Sequence, residues 1–204
     1  MHEKYTTRGL VVSASAYREA DKIISIYTED FGLVSAVAAG VRRSLSKLRY
    51  HTQDYSVRSF SLVRGRDIWR LVGAEEITGV ANIGSPSLIS SADSAHENLA
   101  AYARVLSLIR RLVRGEEKNE AIFLTLFSLY NLLAQINERL FDISALETLA
   151  VFRILHVLGY IKSDASTEPL IVPLEINPSI VAIAKPFVPT LISAINKGLT
   201  ESHL

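Results

Sequence analysis

The sequence predicts an α+β chain of two domains, an N-terminal five-stranded OB-fold β-barrel followed by an all-α helical domain. Three observations point there. Up to about residue 80, short runs of small and β-branched side chains are cut by turn signals, as strands are. From residue 92 the apolar residues recur at spacings of three and four, the period of an amphipathic helix. Between them lies "SPSLISS" (85–91), rich in serine with one proline. The boundaries follow: 1–80 for the barrel, 81–91 for a linker and 92–204 for the helical domain.

The strands are read in order. "RGLVVSASAY" (8–17) and "DKIISIYT" (21–28) flank a polar break, and "EDFG" (29–32) is a turn in which Gly32 can take a positive φ. "LVSAVAAG" (33–40) is the third run. "YSVRSFSLV" (55–63) and "IWRLVGAEEI" (68–77) flank "RGRD" (64–67), a hairpin loop around Gly65. In the fourth run the apolar parity slips between Tyr55 and Val57 on one side and Phe60 and Leu62 on the other. That slip predicts a β-bulge near Arg58–Ser59. Five short strands whose longest gap falls between the third and fourth suit an OB barrel better than an SH3-like one.

In the second half, "ADSAHENLAAYARVLSLIRRLVRG" (92–115) places Leu99, Tyr102, Leu106, Ile109 and Val113 on one face and stops at Gly115. "NEAIFLTLFSLYNLLAQINE" (119–138) is apolar nearly all round, which marks a central helix. "SALE" (144–147) reads as a capping box opening "LETLAVFRILHVLG" (146–159). After a polar loop, "SDASTEP" (163–169), a terminal helix is expected around 187–199.

With 204 residues the chain can bury two cores, and a net charge of +1 says nothing about partners. The local charge is another matter. From residue 40 to 70 the cations are Arg42, Arg43, Lys47, Arg49, Arg58, Arg64, Arg66 and Arg70, against only Asp54 and Asp67. Solvated surface is the plain reading of any such cluster. Here, however, "GVRRSLSKLRYH" (40–51) fills the long gap of a barrel whose fold binds oligonucleotides. Cations neutralise phosphates and aromatic faces stack bases, so a groove offering both holds single strands. The candidate nucleic-acid contacts are Arg42, Arg43, Lys47, Arg49, Tyr50, Arg64, Arg66 and Arg70. Tyr55 and Trp69 are read as core aromatics, and Tyr50, outside the strands, as the stacking candidate.

Chemistry of other kinds finds no carrier. There is no cysteine, hence no disulfide, thiol nucleophile or thiolate zinc site. The histidines are scattered, His156 reads as structural, and there is no Walker A, "GxGxxG" or "GxSxG" sequence. No catalytic residue, metal or cofactor is expected. "MHEKYTTRGL" has no apolar signal core and no run of about eighteen apolar residues stands out, so the expectation is a cytoplasmic protein without a membrane partner.

"RGLVVSASAYREADKIISIYTEDFGLVSAVAAGVRRSLSKLR" resembles the N-terminal domain of the RecO family of bacterial recombination and repair proteins, through "YREADK" (17–22), "YTEDFG" (27–32) and "AAGVRRSLSKLR" (38–49). "LETLAVFRILHVLGY" (146–160) and "NKGLTESHL" (196–204) are similar to later parts of the same family. The resemblance implies a non-catalytic mediator of recombinational DNA repair, nucleoid-associated in the cytoplasm. It would bind single- and double-stranded DNA and anneal complementary strands. With a RecR-type partner it would help load RecA on DNA coated by single-strand-binding protein (SSB). The acidic, apolar-ended SSB tail would then dock on the helical domain, at cations among Arg104, Arg110, Arg111, Arg114 and Arg139, with Arg153, Lys185 and Lys197 as further choices. Many family members carry a four-cysteine zinc element after the Leu-Gly-Tyr turn; here "IKSDASTEPLIVPLEIN" stands in its place. The alternatives are an OB-fold adaptor for protein partners, or an RNA-binding protein without annealing activity.

Overall fold

The computed structural model describes residues 3–80, 92–134 and 142–202. The chain divides into two compact units, 1–82 with 106–120, and 83–105 with 121–204. The expected linker, 81–91, lies outside the described residues.

The first unit is built on strands β1 (Lys4–Tyr17), β2 (Asp21–Thr28), β3 (Gly32–Ala38), β4 (Val57–Val63) and β5 (Trp69–Glu75). They close into a barrel in the order β1-β2-β3-β5-β4, the OB arrangement, with β3 and β5 the parallel pair. Strand β1 serves two neighbours: Lys4–Leu10 pair with β4, and Gly9–Tyr17 pair with β2. A register shift between Val11 and Ser13 accompanies the change of partner, and bulges of this kind bend a strand enough to close a barrel. Gly9 lies where the two pairings overlap; a Cβ there would come within 2.7 Å of Ile26 Cγ2. Alternate residues fill the interior, including Val11, Ile24, Ile26, Val34, Ala36, Phe60, Leu62, Trp69 and Leu71.

The bulge expected at Arg58–Ser59 is not there. The β1–β4 register runs unbroken from Leu10↔Val57 to Lys4↔Val63, and the irregularity falls between Ser61 and Leu62 on the β5 side. Tyr55 misled the parity because it is not in the strand; with φ at 68° it occupies the turn before it. Arg58 has the parity of Phe60 and Leu62 and is buried.

The same unit contains the end of α1 (Ala92–Leu112) and the connection that follows. Helix α1 stops at Leu112, short of the expected residue 115, while Gly115 takes the left-handed φ of 80°. The connection crosses close over the β2–β3 turn. Gly32 has φ 65°, and a Cβ on it would lie 2.1 Å from the Glu117 carbonyl oxygen.

The second unit holds α2 (Glu120–Ala134), α3 (Ile143–Val157), α4 (Glu168–Ile171), α5 (Pro178–Ala184) and α6 (Val188–Glu201). Helix α2 is buried along most of its length, from Ile122 and Phe123 to Leu133, as its all-round apolarity requires. The start of α3 corrects the capping-box reading. Asp142 is the N-cap, accepting from the Ala145 amide, and Glu147 is turned to Arg104 instead. Helix α4 begins inside the stretch expected to be a polar loop. Helix α5, capped by Asn177 with Pro178 in its first turn, precedes the expected terminal helix. Both α5 and α6 pack on α3. Pro178–Glu201 is long and apolar enough by composition to cross a bilayer, with a mean hydropathy of 1.5, which the sequence reading did not anticipate. It is interrupted by a 3-10 turn at Lys185–Phe187, and Val181, Ala184 and Leu191 are fully buried.

Candidate nucleic-acid interface

Residues 39–56, between β3 and β4, are pinned at several points. Val41 is fully buried and Leu48 packs on the barrel core, so the two apolar residues seven apart act as anchors. At the near end the Gly40 amide donates to Asp21 Oδ1 at 2.8 Å and the Arg42 amide to the Ala20 carbonyl at 2.9 Å. The Arg42 guanidinium donates to the carbonyls of Arg18 and Glu19 at 3.2 and 3.1 Å. Arg42 thus clamps the β1–β2 turn, beside a cavity of about 340 Å³ lined by Glu19, Ala20, Arg42 and Arg43. Successive tight turns follow, with amides of Arg43, Ser46, Arg49 and His51 donating to carbonyls of Gly40, Arg43, Ser46 and Leu48. Lys47–Arg49 form a 3-10 turn. Buried Thr52 closes it by donating to the Leu48 carbonyl at 3.1 Å.

The far end is held by a buried cation. Arg58 Nε donates to His51 Nδ1 at 3.1 Å, its Nη1 donates to the Val57 carbonyl at 2.6 Å, and Glu76 lies 3.9 Å away. Burial, then the nearby guanidinium, lowers the His51 pKa, with Glu76 opposing. Arg58 therefore belongs to the scaffold.

The other candidates divide between the two ends of the barrel. Arg70 faces outward on β5, opposite Val37, which is opposite Ile23 on β2; Ser25 and Ser35 form the next outward pair. Arg64 and Arg66 lie in the β4–β5 hairpin, on the side of the β2–β3 turn, where the rings of Tyr5, Phe31 and Trp69 meet at 5.1–5.6 Å. Trp69 is 2% exposed and donates to Glu116 Oε1 at 2.8 Å, so it is a core aromatic. Arg64 stands over the Trp69 ring and pairs with Glu116 at 3.3 Å. OB barrels bind oligonucleotides on the face of strands 2 and 3, between the β1–β2 and β4–β5 loops. Here Arg42 and Arg43 stand at one end of that face and Arg64 and Arg66 at the other. The seven residues of β3 separate them by roughly 20 Å.

Arg43, Lys47, Arg49, Arg66 and Arg70 are exposed, and among the described residues no carboxylate lies within ion-pair distance of them. Tyr50, next to Arg49 in the chain, is 71% exposed. Sequence reasoning missed Arg18, an exposed residue at φ 53° whose guanidinium lies over Tyr17 and whose carbonyl holds Arg42. A lone arginine in a turn gives no signal; only the folded β1–β2 turn brings it beside residue 42.

The residues considered for a partner are less available. Arg104 is bonded bidentately to Glu147, at 2.6 Å in both contacts. Arg110, Arg111 and Arg114 are exposed at the C-terminal end of α1, where they favour its dipole, and fall within the barrel unit. Arg139 lies outside the described residues. Arg153 is buried on α3, donating to the Leu170 carbonyl at 2.7 Å, and desolvation lowers its pKa to about 10. Lys185 pairs with Asp142 and Lys197 with Glu201. His156 Nδ1 is 3.1 Å from the Ile161 carbonyl, a structural contact. Among the described residues no cluster of three His, Asp or Glu could hold a metal.

Strand order and closure define the class: an OB-fold domain with a basic rim, joined in one chain to a helical unit. Residues 1–80, the barrel domain, match the family model described as Recombination protein O N terminal. A DNA repair protein RecO of Rubrobacter xylanophilus is 40% identical over 73 residues, 36% of this chain and 29% of that protein. One from Dehalococcoides mccartyi is 33% identical over 124 residues, 61% of this chain and 46% of the relative. One from a Synechocystis species is 36% identical over 75 residues, 37% and 28% of the two chains. The chain therefore spans less than half the length of these relatives in each match.

Proposed function

We propose that the chain is a DNA-binding mediator of recombinational repair, acting by binding single- and double-stranded DNA and annealing complementary strands. The observation that carries this is the pinned segment 40–50. It presents Arg43, Lys47 and Arg49, which meet no carboxylate among the described residues, at one end of an OB face, with Arg70 on the face itself. A pinned backbone lowers the ordering cost of phosphate contact to that of the side chains alone. The similarity to DNA repair proteins of the RecO name supports the same role.

By the same reading, the chain works with a RecR-type partner in loading RecA on SSB-coated DNA, and the helical unit takes the SSB tail. What favours a dock there is a cavity of about 630 Å³ lined by Tyr160, Ile161, Lys162, Ala194 and Lys197 among others. Its lining mixes polar and apolar groups; Lys197 is paired there with Glu201, and exposed Lys162 offers an ammonium to the carboxylate of an acidic peptide ending in apolar side chains.

The test is fluorescence-anisotropy binding of a single-stranded oligonucleotide as salt is raised, followed by an annealing assay. Affinity that falls steeply with salt, and strand pairing faster than spontaneous, support the reading. An adaptor would leave the oligonucleotide free at every salt. RNA of the same sequence competing better than DNA would point to an RNA-binding protein.

A further inference from the structure

Leu45 is 94% exposed, while the other apolar residues of its segment are employed: Val41 is fully buried and Leu48 packs on the core. A leucine left in water forgoes the gain of burial, and what sets this one apart is its place between two exposed cations in a pinned segment. It stands where the chain is least able to fold back over it. The Ser46 amide closes a turn on the Arg43 carbonyl, with Leu45 inside that turn, and the next turn begins at Ser46 itself. Two small serines, Ser44 and Ser46, flank the side chain, so nothing local shields it. Two residues away on either side stand Arg43 and Lys47, both exposed and both without a carboxylate partner among the described residues.

We propose that Leu45 is a base-unstacking wedge: Arg43 and Lys47 seat the phosphates of a DNA strand on either side, and the leucine enters between two adjacent bases. This rests on the DNA-binding reading above and assigns the segment a second task, holding bases apart as well as holding the backbone. Apolar side chains between flanking cations use this device elsewhere, inserting between base steps and partly unstacking them. The energetic logic is consistent, because unstacking one step is offset by burying an otherwise hydrated side chain. For an annealing protein, unstacked bases are exposed for pairing with a second strand. A lipid surface would also accept a leucine between cations, but a lone apolar residue gives little insertion.

The experiment uses the full chain and a single-stranded oligonucleotide carrying one fluorescent base analogue whose emission rises on unstacking. Anisotropy of an end label reports binding in the same samples. At saturation the wild-type chain should raise the emission at least about twofold, whereas Leu45→Ser should bind within about fivefold of wild type and lose most of the rise. Leu45→Met should restore it. An unchanged rise with Leu45→Ser overturns the wedge and leaves DNA binding standing, as does saturated wild-type binding with no rise. No wild-type binding at low salt overturns the DNA-binding reading and the wedge with it. Sedimentation with phosphatidylserine vesicles that depends on Leu45, with base emission unaffected, overturns the wedge in favour of a membrane contact.

Discussion

The segment 40–50 and the hairpin 64–67 carry the same chemistry, but the fold uses the two differently. In the first, Arg42 is committed to the β1–β2 turn and the remaining cations meet no carboxylate among the described residues. In the second, Arg64 is drawn over Trp69 and onto Glu116, and only Arg66 meets no carboxylate among the described residues. Density of positive charge in a sequence therefore does not measure the charge a ligand meets. The hairpin's Arg64 is spent on its own aromatic cluster, whereas the long segment is pinned by buried apolar residues, backbone bonds and Arg42, and leaves Arg43, Lys47 and Arg49 exposed.

The largest effect that sharpens this comparison is Trp69→Ala. If the hairpin end is structural, removing the buried indole costs about 3–5 kcal/mol of stability in denaturant unfolding. Normal stability with lost oligonucleotide binding would make Trp69 a stacking platform and break the contrast. Next is Gly32→Ala, at φ 65° with the Glu117 carbonyl 2.1 Å from the added methyl; roughly 1–3 kcal/mol is expected from the backbone conformation alone. Melting should report it, with no loss of DNA affinity per folded molecule. Smaller again is Glu116→Gln, which frees Arg64. An exposed pair of this kind is worth within about 1 kcal/mol, and DNA affinity should rise by about twofold as the hairpin's charge becomes available. The smallest concerns pH. The folded His51 pKa lies below its usual 6.5, so the unfolded chain takes up the proton first. This contribution to stability is fully present above about pH 6.5 and is lost as the pH falls through the lower folded value. Thermal melting at successive pH values should show it for wild type and show less of it for His51→Gln.

Much of the barrel was legible because strand periodicity is local: all five strands were placed within a few residues, and the left-handed Gly32 was visible in "EDFG". What failed depended on contacts distant in sequence. Arg58, bonded to His51, takes a buried place in β4 as a charged residue, which with Tyr55 in the turn before the strand hid its parity. Glu147, which looked like half of a capping box, is claimed by Arg104, 43 residues away. Of the candidate site, the cluster at 42–49 could be read directly. The neutralisation of Arg64 could not, since Glu116 lies 52 residues further along the chain.

The central claim is that the exposed cations of residues 43–49 form the phosphate-binding edge, and the salt dependence of single-stranded oligonucleotide binding tests it most directly. Plotted as log affinity against log salt, each phosphate contact contributes about 0.7 to the slope. Replacing Arg43, Lys47 and Arg49 together by Glu should remove about two units of slope and about a hundredfold in low-salt affinity, with the fold intact by circular dichroism. Replacing Arg64 and Arg66 by Glu should remove less than about one unit. A triple variant with the wild-type slope, or a hairpin variant that loses more than the triple, would contradict the account.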